Sequence, residues 1–250
     1  MKSIKIDLST YCFLLLLFLS GMIKNGILIF IIIFIHEIGH VVIAKLSSYE
    51  VIKITLYPFG GITKLNKDLN SPFLNDFCLA IGGIFAQVLL YIFFLNLFKN
   101  SYINKSTFDA FVFYNNTIML FNLLPIIPLD GSNIIELILQ KFFSFKKSYN
   151  LNILVSTICL LIFIYFNHKF LINNYMIIFF LIYKVIENFK NRRYILKKFF
   201  LERMLKKYNF SYIKKEENCN LNNLKKYTYF YFWDNRKWID EKTLLKKTFK

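Results

Sequence analysis

Long apolar runs recur along the whole chain and constrain its fold more than any other feature. Hydrophobic residues make up 56% of the 250 residues, more than a soluble domain of this length needs for its core. The chain is therefore predicted to be an all-α polytopic membrane protein with about six transmembrane helices. The candidate spans are residues 10–23, 26–46, 77–98, 107–124, 151–166 and 170–186.

Basic residues are distributed unevenly between the two sides of these spans. With the N-terminus inside, the inner segments and the C-terminal tail carry 28 Lys and Arg, and the outer loops carry four. Loops rich in Lys and Arg stay on the cytoplasmic side, so both termini are predicted to be cytoplasmic. We interpret the basic tail as a region beside the anionic lipid of the bilayer, and we expect no direct binding of nucleic acid.

The composition of the chain divides it into two regions. Residues 1–186 are predicted to form the membrane core, and residues 187–250 a small basic cytoplasmic region. In the core, residues 51–57 favour a strand and residues 58–61 a turn, which predicts a β-hairpin or extended loop after the second span. This loop is either a plain surface hairpin or an edge to which an extended peptide can pair. In the tail, residues 192–208 favour a basic amphipathic helix on the membrane surface, and residues 227–233 a strand.

Residues 36–40 read His-Glu-Ile-Gly-His inside the second apolar run. On a helix, His36 and His40 project from one face, so both imidazoles can reach one metal ion. In zinc hydrolases with this motif, the residue matching Glu37 takes a proton from the zinc-bound water. Two histidines and a carboxylate are unfavourable in hydrocarbon, which indicates a functional site. On the predicted topology His36 lies about 15 Å along its span, in the inner half of the bilayer.

A catalytic zinc ion usually has three protein ligands and one open position. The position six residues past His40 is Leu46, so the extended motif with a third histidine is absent. His168 falls in an outer loop, on the wrong side of the membrane. Asp130 follows a proline-broken turn at the inner end of the fourth span, and it is the predicted third ligand. Glu136 is an alternative ligand, and Asp130 as an ordinary helix cap is an alternative role.

The motif at residues 36–40 and the later stretch 122–131, Asn-Leu-Leu-Pro-Ile-Ile-Pro-Leu-Asp-Gly, together resemble the site-2 protease family of intramembrane zinc metalloproteases. The six-span layout, Phe-Gly-Gly at 59–61 and the basic tail are most similar to its bacterial sporulation branch, the stage IV proteases that process pro-sigma-K. The specific motifs cover about residues 26–140. Members of the family often carry a Gly-Pro pair and an Asn in the third span. This chain differs, because its residues 81–87 read Ile-Gly-Gly-Ile-Phe-Ala-Gln.

The resemblance implies one Zn²⁺ held by His36, His40 and Asp130, with Glu37 as the catalytic residue that activates water. It also implies that Asn122 lies near the active site and helps to position the substrate. The implied reaction is hydrolysis of a peptide bond in a membrane-associated protein, here a sigma factor precursor, under the control of inhibitory membrane partners. Two alternatives stay open: a site-2-type protease with another substrate such as an anti-sigma factor, and a non-catalytic membrane metal-binding protein.

Overall fold

The computed structural model describes residues 4–7, 10–11, 21, 23–57, 60–167, 172–210, 212–234 and 237–249. The chain divides into two compact units. The first comprises Met1–Lys67 and Phe77–Leu124, and the second comprises Asp68–Asp76 and Pro125–Lys250. The composition of the chain predicts a boundary between a membrane core and a cytoplasmic region at residues 186 and 187, and this boundary stays a prediction.

Seven α-helices can be followed from end to end in the described part of the chain. Three of the described helices are long and apolar enough to cross a membrane, at Ile23–Leu46, Phe73–Lys99 and Phe145–Phe166. The predicted helical membrane architecture is confirmed to that extent. The count of six spans stays a prediction, because parts of the first and sixth runs lie outside the described residues and the helix over the fourth run is not one of these three. The helices are α1 (Ile23–Leu46), α2 (Phe73–Lys99), α3 (Lys105–Asn122), α4 (Asp130–Phe142), α5 (Phe145–Asn167), α6 (Ile172–Leu205) and α7 (Glu241–Thr248).

The first unit contains a three-stranded sheet in the order β1-β2-β3. Its strands are β1 (Ile4–Ile6), β2 (Glu50–Tyr57) and β3 (Gly60–Asn66). The strands β2 and β3 pair antiparallel, which confirms the predicted hairpin; residues 58 and 59 of its turn lie outside the described residues. Strand β1 pairs parallel with β2, a contact that the sequence did not predict. As a result β2 is the central strand and β3 lies at an edge.

Small residues allow close packing of α1 against α2 in the first unit. A Cβ atom on Gly39 would clash with the carbonyl oxygen of Gly82 and the Cβ of Ala86. Helices α2 and α3 also contact each other, because the rings of Phe94 on α2 and Phe111 on α3 stack with centroids 3.8 Å apart. Glycine and alanine are the residues that let membrane helices approach most closely. Ile32 of α1 lies in the same buried cluster as Phe94 and Phe111, so α1 packs against both neighbouring helices one turn before its polar motif.

The second unit corrects the prediction of a separate helix over residues 192–208. Helix α6 runs without interruption over 34 residues, so the segment 192–208 is mostly a continuation of this helix and not a separate surface helix. Its sequence contains no glycine or proline, and Lys, Arg and Leu all favour the helical state. Helix α5 also begins earlier than expected, at Phe145, and α4 occupies part of the stretch predicted as an inner loop.

The C-terminal residues form a second sheet in the order β4-β5-β6. Its strands are β4 (Tyr212–Glu216), β5 (Thr228–Asp234) and β6 (Lys237–Asp240), and β5 overlaps the strand predicted at 227–233. Side chains from this sheet share a hydrophobic core with residues at the start of α5 and near the end of α6. The tail is therefore a folded part of the second unit. The buried core residues are Phe145, Phe199, Leu224, Phe230, Phe232 and Ile239.

Candidate metal centre

The three motif residues lie on one buried stretch of α1. His36, Glu37 and His40 are 4%, 5% and 9% exposed, respectively. The helical spacing brings the Nε2 atoms of the two histidines to 3.1 Å from each other. Their rings meet edge to face, with centroids 4.7 Å apart. The two imidazoles therefore lie side by side on one face of the helix, as the spacing of the motif predicts.

Each imidazole has a hydrogen-bond acceptor at its Nδ1 atom. His40 Nδ1 lies 2.8 Å from the backbone oxygen of Leu79, which can only accept a hydrogen bond. His36 Nδ1 lies 3.1 Å from the side-chain oxygen of Gln87. Each ring therefore donates from Nδ1. The tautomer with its hydrogen there has a lone pair on Nε2, and the two Nε2 atoms lie 3.1 Å apart. Because two lone pairs repel each other, this arrangement suits a cation between the rings.

Asp130 supplies a carboxylate to the same grouping. One ligand atom from each of His36, His40 and Asp130 lies within 4.8 Å of the other two. Asp130 is the first residue of α4, and Leu129 occupies the N-cap position. The alternative prediction, in which Asp130 is the N-cap of this helix, is therefore wrong. Two imidazole nitrogens and one carboxylate oxygen form a typical donor set for zinc. Nitrogens bound tetrahedrally to one zinc ion are about 3.4 Å apart, close to the separation between the two histidines.

Glu136, the alternative ligand, is engaged elsewhere in the second unit. Its carboxylate accepts hydrogen bonds from Gln140 Nε2 at 2.7 Å and from Asn152 Nδ2 at 3.2 Å. These contacts hold both of its oxygens within the packing of α4 and α5, which favours Asp130 as the ligand. His168 lies outside the described residues. Asn122 is the last residue of α3, and its role in substrate binding stays a prediction.

Glu37 faces the edge strand of the first sheet. The Thr63 hydroxyl donates a hydrogen bond to Glu37 Oε2 at 2.7 Å. A Cβ atom on Gly61 would clash with the Glu37 side chain, so glycine allows β3 to pass directly over the carboxylate. Sequence reasoning missed Thr63, because 26 residues separate it from Glu37 and no spacing rule connects a helix to this strand.

Gly83 on α2 leaves room for both histidine rings. A Cβ atom there would clash with His36 Cε1 and would lie 2.5 Å from His40 Nε2. The adjacent Gly82 supports the close contact with α1, so the two glycines in the sequence serve different purposes. The pattern of small residues in the third span predicts the helix contact, but it does not distinguish the residue that makes space for the metal centre.

Comparison with known proteins shows which families this chain resembles. The profile of Peptidase family M50 matches residues 26–102, which include the motif, the hairpin and most of α2. The solved structure of a site-2 protease from Methanocaldococcus jannaschii has the same fold, with a TM-score of 0.58 and 24% sequence identity. That match covers 74% of this chain and 89% of the solved chain.

Two relatives of known name share 30% or more of their residues with this chain over the aligned regions. The chain is 34% identical over 188 residues to Stage IV sporulation protein FB of Bacillus subtilis, covering 74% of this chain and 65% of that protein. It is 30% identical over 125 residues to a zinc metalloprotease of Methanocaldococcus jannaschii, covering 49% of this chain and 36% of that protein. The chain thus spans less than two thirds of the length of these relatives. The matches confirm the predicted resemblance to the site-2 protease family.

Proposed function

We propose that the chain is a zinc-dependent endopeptidase that hydrolyses a peptide bond of a membrane-associated protein at or within the bilayer. The proposal depends above all on the grouping of His36, His40 and Asp130. Both histidines and Glu37 lie on a helix that is apolar enough to cross a membrane. An ionisable grouping in such a helix is unfavourable unless it has a function. The excess of Lys and Arg in one set of loops supports cytoplasmic termini and a site in the inner half of the bilayer.

The protein side chains divide the chemistry between them. A zinc ion in this site would act as a Lewis acid for the scissile carbonyl and would lower the pKa of its water ligand to about 7. His36 and His40 keep their Nδ1 hydrogens in hydrogen bonds, so each Nε2 stays available as a ligand. Thr63 holds one oxygen of Glu37. The other oxygen accepts the proton of the attacking water and delivers it to the leaving amine.

The substrate must be extended at the cleavage site, because a helix keeps its carbonyl groups in internal hydrogen bonds. Strand addition was expected along residues 51–61, but β1 already occupies the outer side of β2. Among the described strands, β3 has a neighbour on one side only, and it is also the strand that crosses Glu37. We therefore assign the substrate edge to β3, where added backbone would pair beside the catalytic carboxylate.

The proposed substrate is a sigma factor precursor of the pro-sigma-K type, which loses its N-terminal pro-segment. The 34% identity to Stage IV sporulation protein FB supports this choice over an anti-sigma factor. The resemblance to the sporulation branch also supports control by inhibitory membrane partners. A non-catalytic metal-binding protein would have no use for Glu37, which the structure positions with a hydrogen bond of its own.

The test is co-expression of the chain with a pro-sigma-K-like substrate, followed by measurement of cleavage and of zinc in each purified protein. The wild type is compared with three variants: Glu37→Gln, Asp130→Ala and Glu136→Gln. We expect cleavage by the wild type and no detectable cleavage by Glu37→Gln with its zinc retained. Asp130→Ala should lose zinc and activity together. Glu136→Gln is the matched control, because it neutralises a nearby carboxylate on the same helix without removing a proposed ligand.

The possible results separate the parts of the proposal. Zinc in the wild type without cleavage by any variant would reject the pro-sigma-K substrate and direct the search to anti-sigma factors and other membrane proteins. Wild-type cleavage by Glu37→Gln would reject its role as the base. Loss of zinc in Glu136→Gln but not in Asp130→Ala would show that Glu136 is the third ligand and Asp130 is not. A wild type without zinc would reject the metal centre itself.

A further inference from the structure

We propose that Gln87 is a positioning residue, which fixes the His36 imidazole in the orientation and tautomer that metal binding requires. Asn115 in turn fixes the orientation of the Gln87 amide. This inference rests on the proposed zinc site, and it adds to that site two side chains from α2 and α3 that lie outside the metal-binding motif. Neither residue is a ligand or a reacting group in this scheme.

The contacts form a short chain of hydrogen bonds across three helices. Gln87 is 0% exposed and Asn115 is 2% exposed. The oxygen of the Gln87 side chain lies 3.1 Å from His36 Nδ1. Its nitrogen lies 3.5 Å from both the backbone oxygen and the side-chain oxygen of Asn115. A buried amide in an apolar helix is destabilising unless it is hydrogen-bonded, and here both ends of the amide have partners.

The partner on α3 determines which end of the Gln87 amide faces the histidine. The backbone oxygen of Asn115 can only accept, so the Gln87 nitrogen faces α3 and its oxygen faces α1. His36 must then donate from Nδ1, which leaves the lone pair on Nε2. Partners of this kind orient the ring of a ligating histidine and increase its basicity.

The two histidines are oriented by different means. His40 donates to the backbone oxygen of Leu79, a contact that no substitution at residue 79 removes directly. His36 depends on a side chain, so its orientation can be changed by a single substitution. This asymmetry makes the proposal testable, because a change at Gln87 should affect one ligand of the pair and leave the other in place.

The test measures zinc affinity of the purified full chain by competition with a chelator, together with the absorption spectrum of the cobalt-substituted protein. In Gln87→Met, which keeps the length of the side chain but removes the strong acceptor, we expect zinc affinity to fall by about 10- to 100-fold. In Gln87→Glu an acceptor for His36 remains, although the donor to Asn115 is lost, and zinc affinity should stay near that of the wild type. Asn116→Leu is the control, since Asn116 is the exposed neighbour of Asn115 on α3.

A role in helix packing alone predicts a different pattern of results. Gln87→Met would then bind zinc as tightly as the wild type with an unchanged cobalt spectrum, or Gln87→Glu would lose affinity as strongly as Gln87→Met. Either result would overturn the inference. Because the readout is metal binding, a wild type that binds zinc without cleaving any substrate would reject the proposed substrate but leave this inference standing.

Discussion

The two units of the molecule use buried polar side chains in different ways. In the first unit, hydrogen bonds from His36 to Gln87 and from His40 to Leu79 orient the two imidazole rings of α1. In the second unit, four buried charged side chains form two ion pairs. Arg203 and Glu241 face each other at 3.2 Å with 0% and 1% of their side chains exposed, and Lys226 and Asp76 at 2.6 Å with 4% and 1%.

These ion pairs connect segments that are distant in sequence. Lys226 joins the C-terminal region to Asp76 at the start of α2, and Arg203 on α6 also donates to the backbone oxygens of Lys225 and Thr228. Burial raises the pKa of Glu241 to about 7, although the Arg203 guanidinium opposes this shift. The difference between the units indicates that buried polarity orients a reactive site in the first and fixes the fold of the basic tail in the second.

The strongest test of this comparison is to remove one charge from the second unit. In Arg203→Leu, Glu241 keeps its buried position without its cationic partner, and the backbone oxygens of Lys225 and Thr228 lose their donor. We expect the free energy of unfolding of the C-terminal region to fall by about 3–5 kcal/mol. Hydrogen exchange at the amides of β5 in the purified chain, at neutral pH, measures this loss.

The double variant Arg203→Leu, Glu241→Leu is the control for this prediction. Replacing both charges with apolar groups should restore part of the protection, because no uncompensated buried charge is left. The rest stays lost, since the oxygens of Lys225 and Thr228 still lack their donor and the Phe230 N–H lacks its acceptor. The loss in the single variant should also grow as the pH rises from 5 to 8. The buried carboxyl retains its proton at pH 5, whereas the unfolded chain releases it more readily, so folding becomes less favourable as the pH increases. Equal protection in the single variant and the wild type would contradict the assigned role of the pair.

The next effect is steric and concerns the first unit. In Gly61→Ala the new Cβ would clash with the Glu37 side chain, so either β3 or the carboxylate must move. Displacement of a catalytic group by about 1 Å lowers the rate by roughly 100-fold. We expect a loss of cleavage of this size with the zinc content unchanged, measured on the purified variant. Lys64→Ala is the matched control, since Lys64 is an exposed residue of the same strand. If Gly61→Ala cleaves at the wild-type rate, close packing of β3 against Glu37 is not required for activity.

Much of the fold could be predicted from sequence because its signals are local. Apolar runs predict the membrane helices, and the turn before Gly61 predicts the hairpin. The pairing of β1 with β2 joins residues that are about 50 positions apart, and the three residues Ile4–Ile6 are too few to show a pattern. A separate helix was predicted where Lys and Arg become frequent, but these residues favour helix, so α6 continues into the basic segment.

The residues of the candidate site also differ in how far the sequence predicts their contacts. His36, Glu37 and His40 share one turn of helix, so their grouping follows from spacing alone. The asparagines of the fourth span and Gln87 stand out as polar residues in apolar runs, but which neighbour each one contacts depends on how three helices pack. Thr63 has no such signal, because a threonine in a strand is ordinary, and only the fold shows that this strand lies beside Glu37.

The smallest predicted effect is at Thr63 and tests how Glu37 is held in place. Thr63→Val keeps the shape of the side chain but removes the hydroxyl that donates to Glu37 Oε2. One hydrogen bond to a charged group contributes about 1–2 kcal/mol, so cleavage should fall by roughly 5- to 30-fold while zinc stays bound. Thr63→Ser restores the hydroxyl and should recover most of the rate. If both variants cleave at the wild-type rate, the helix alone positions Glu37, and β3 contributes only to the binding of the substrate strand.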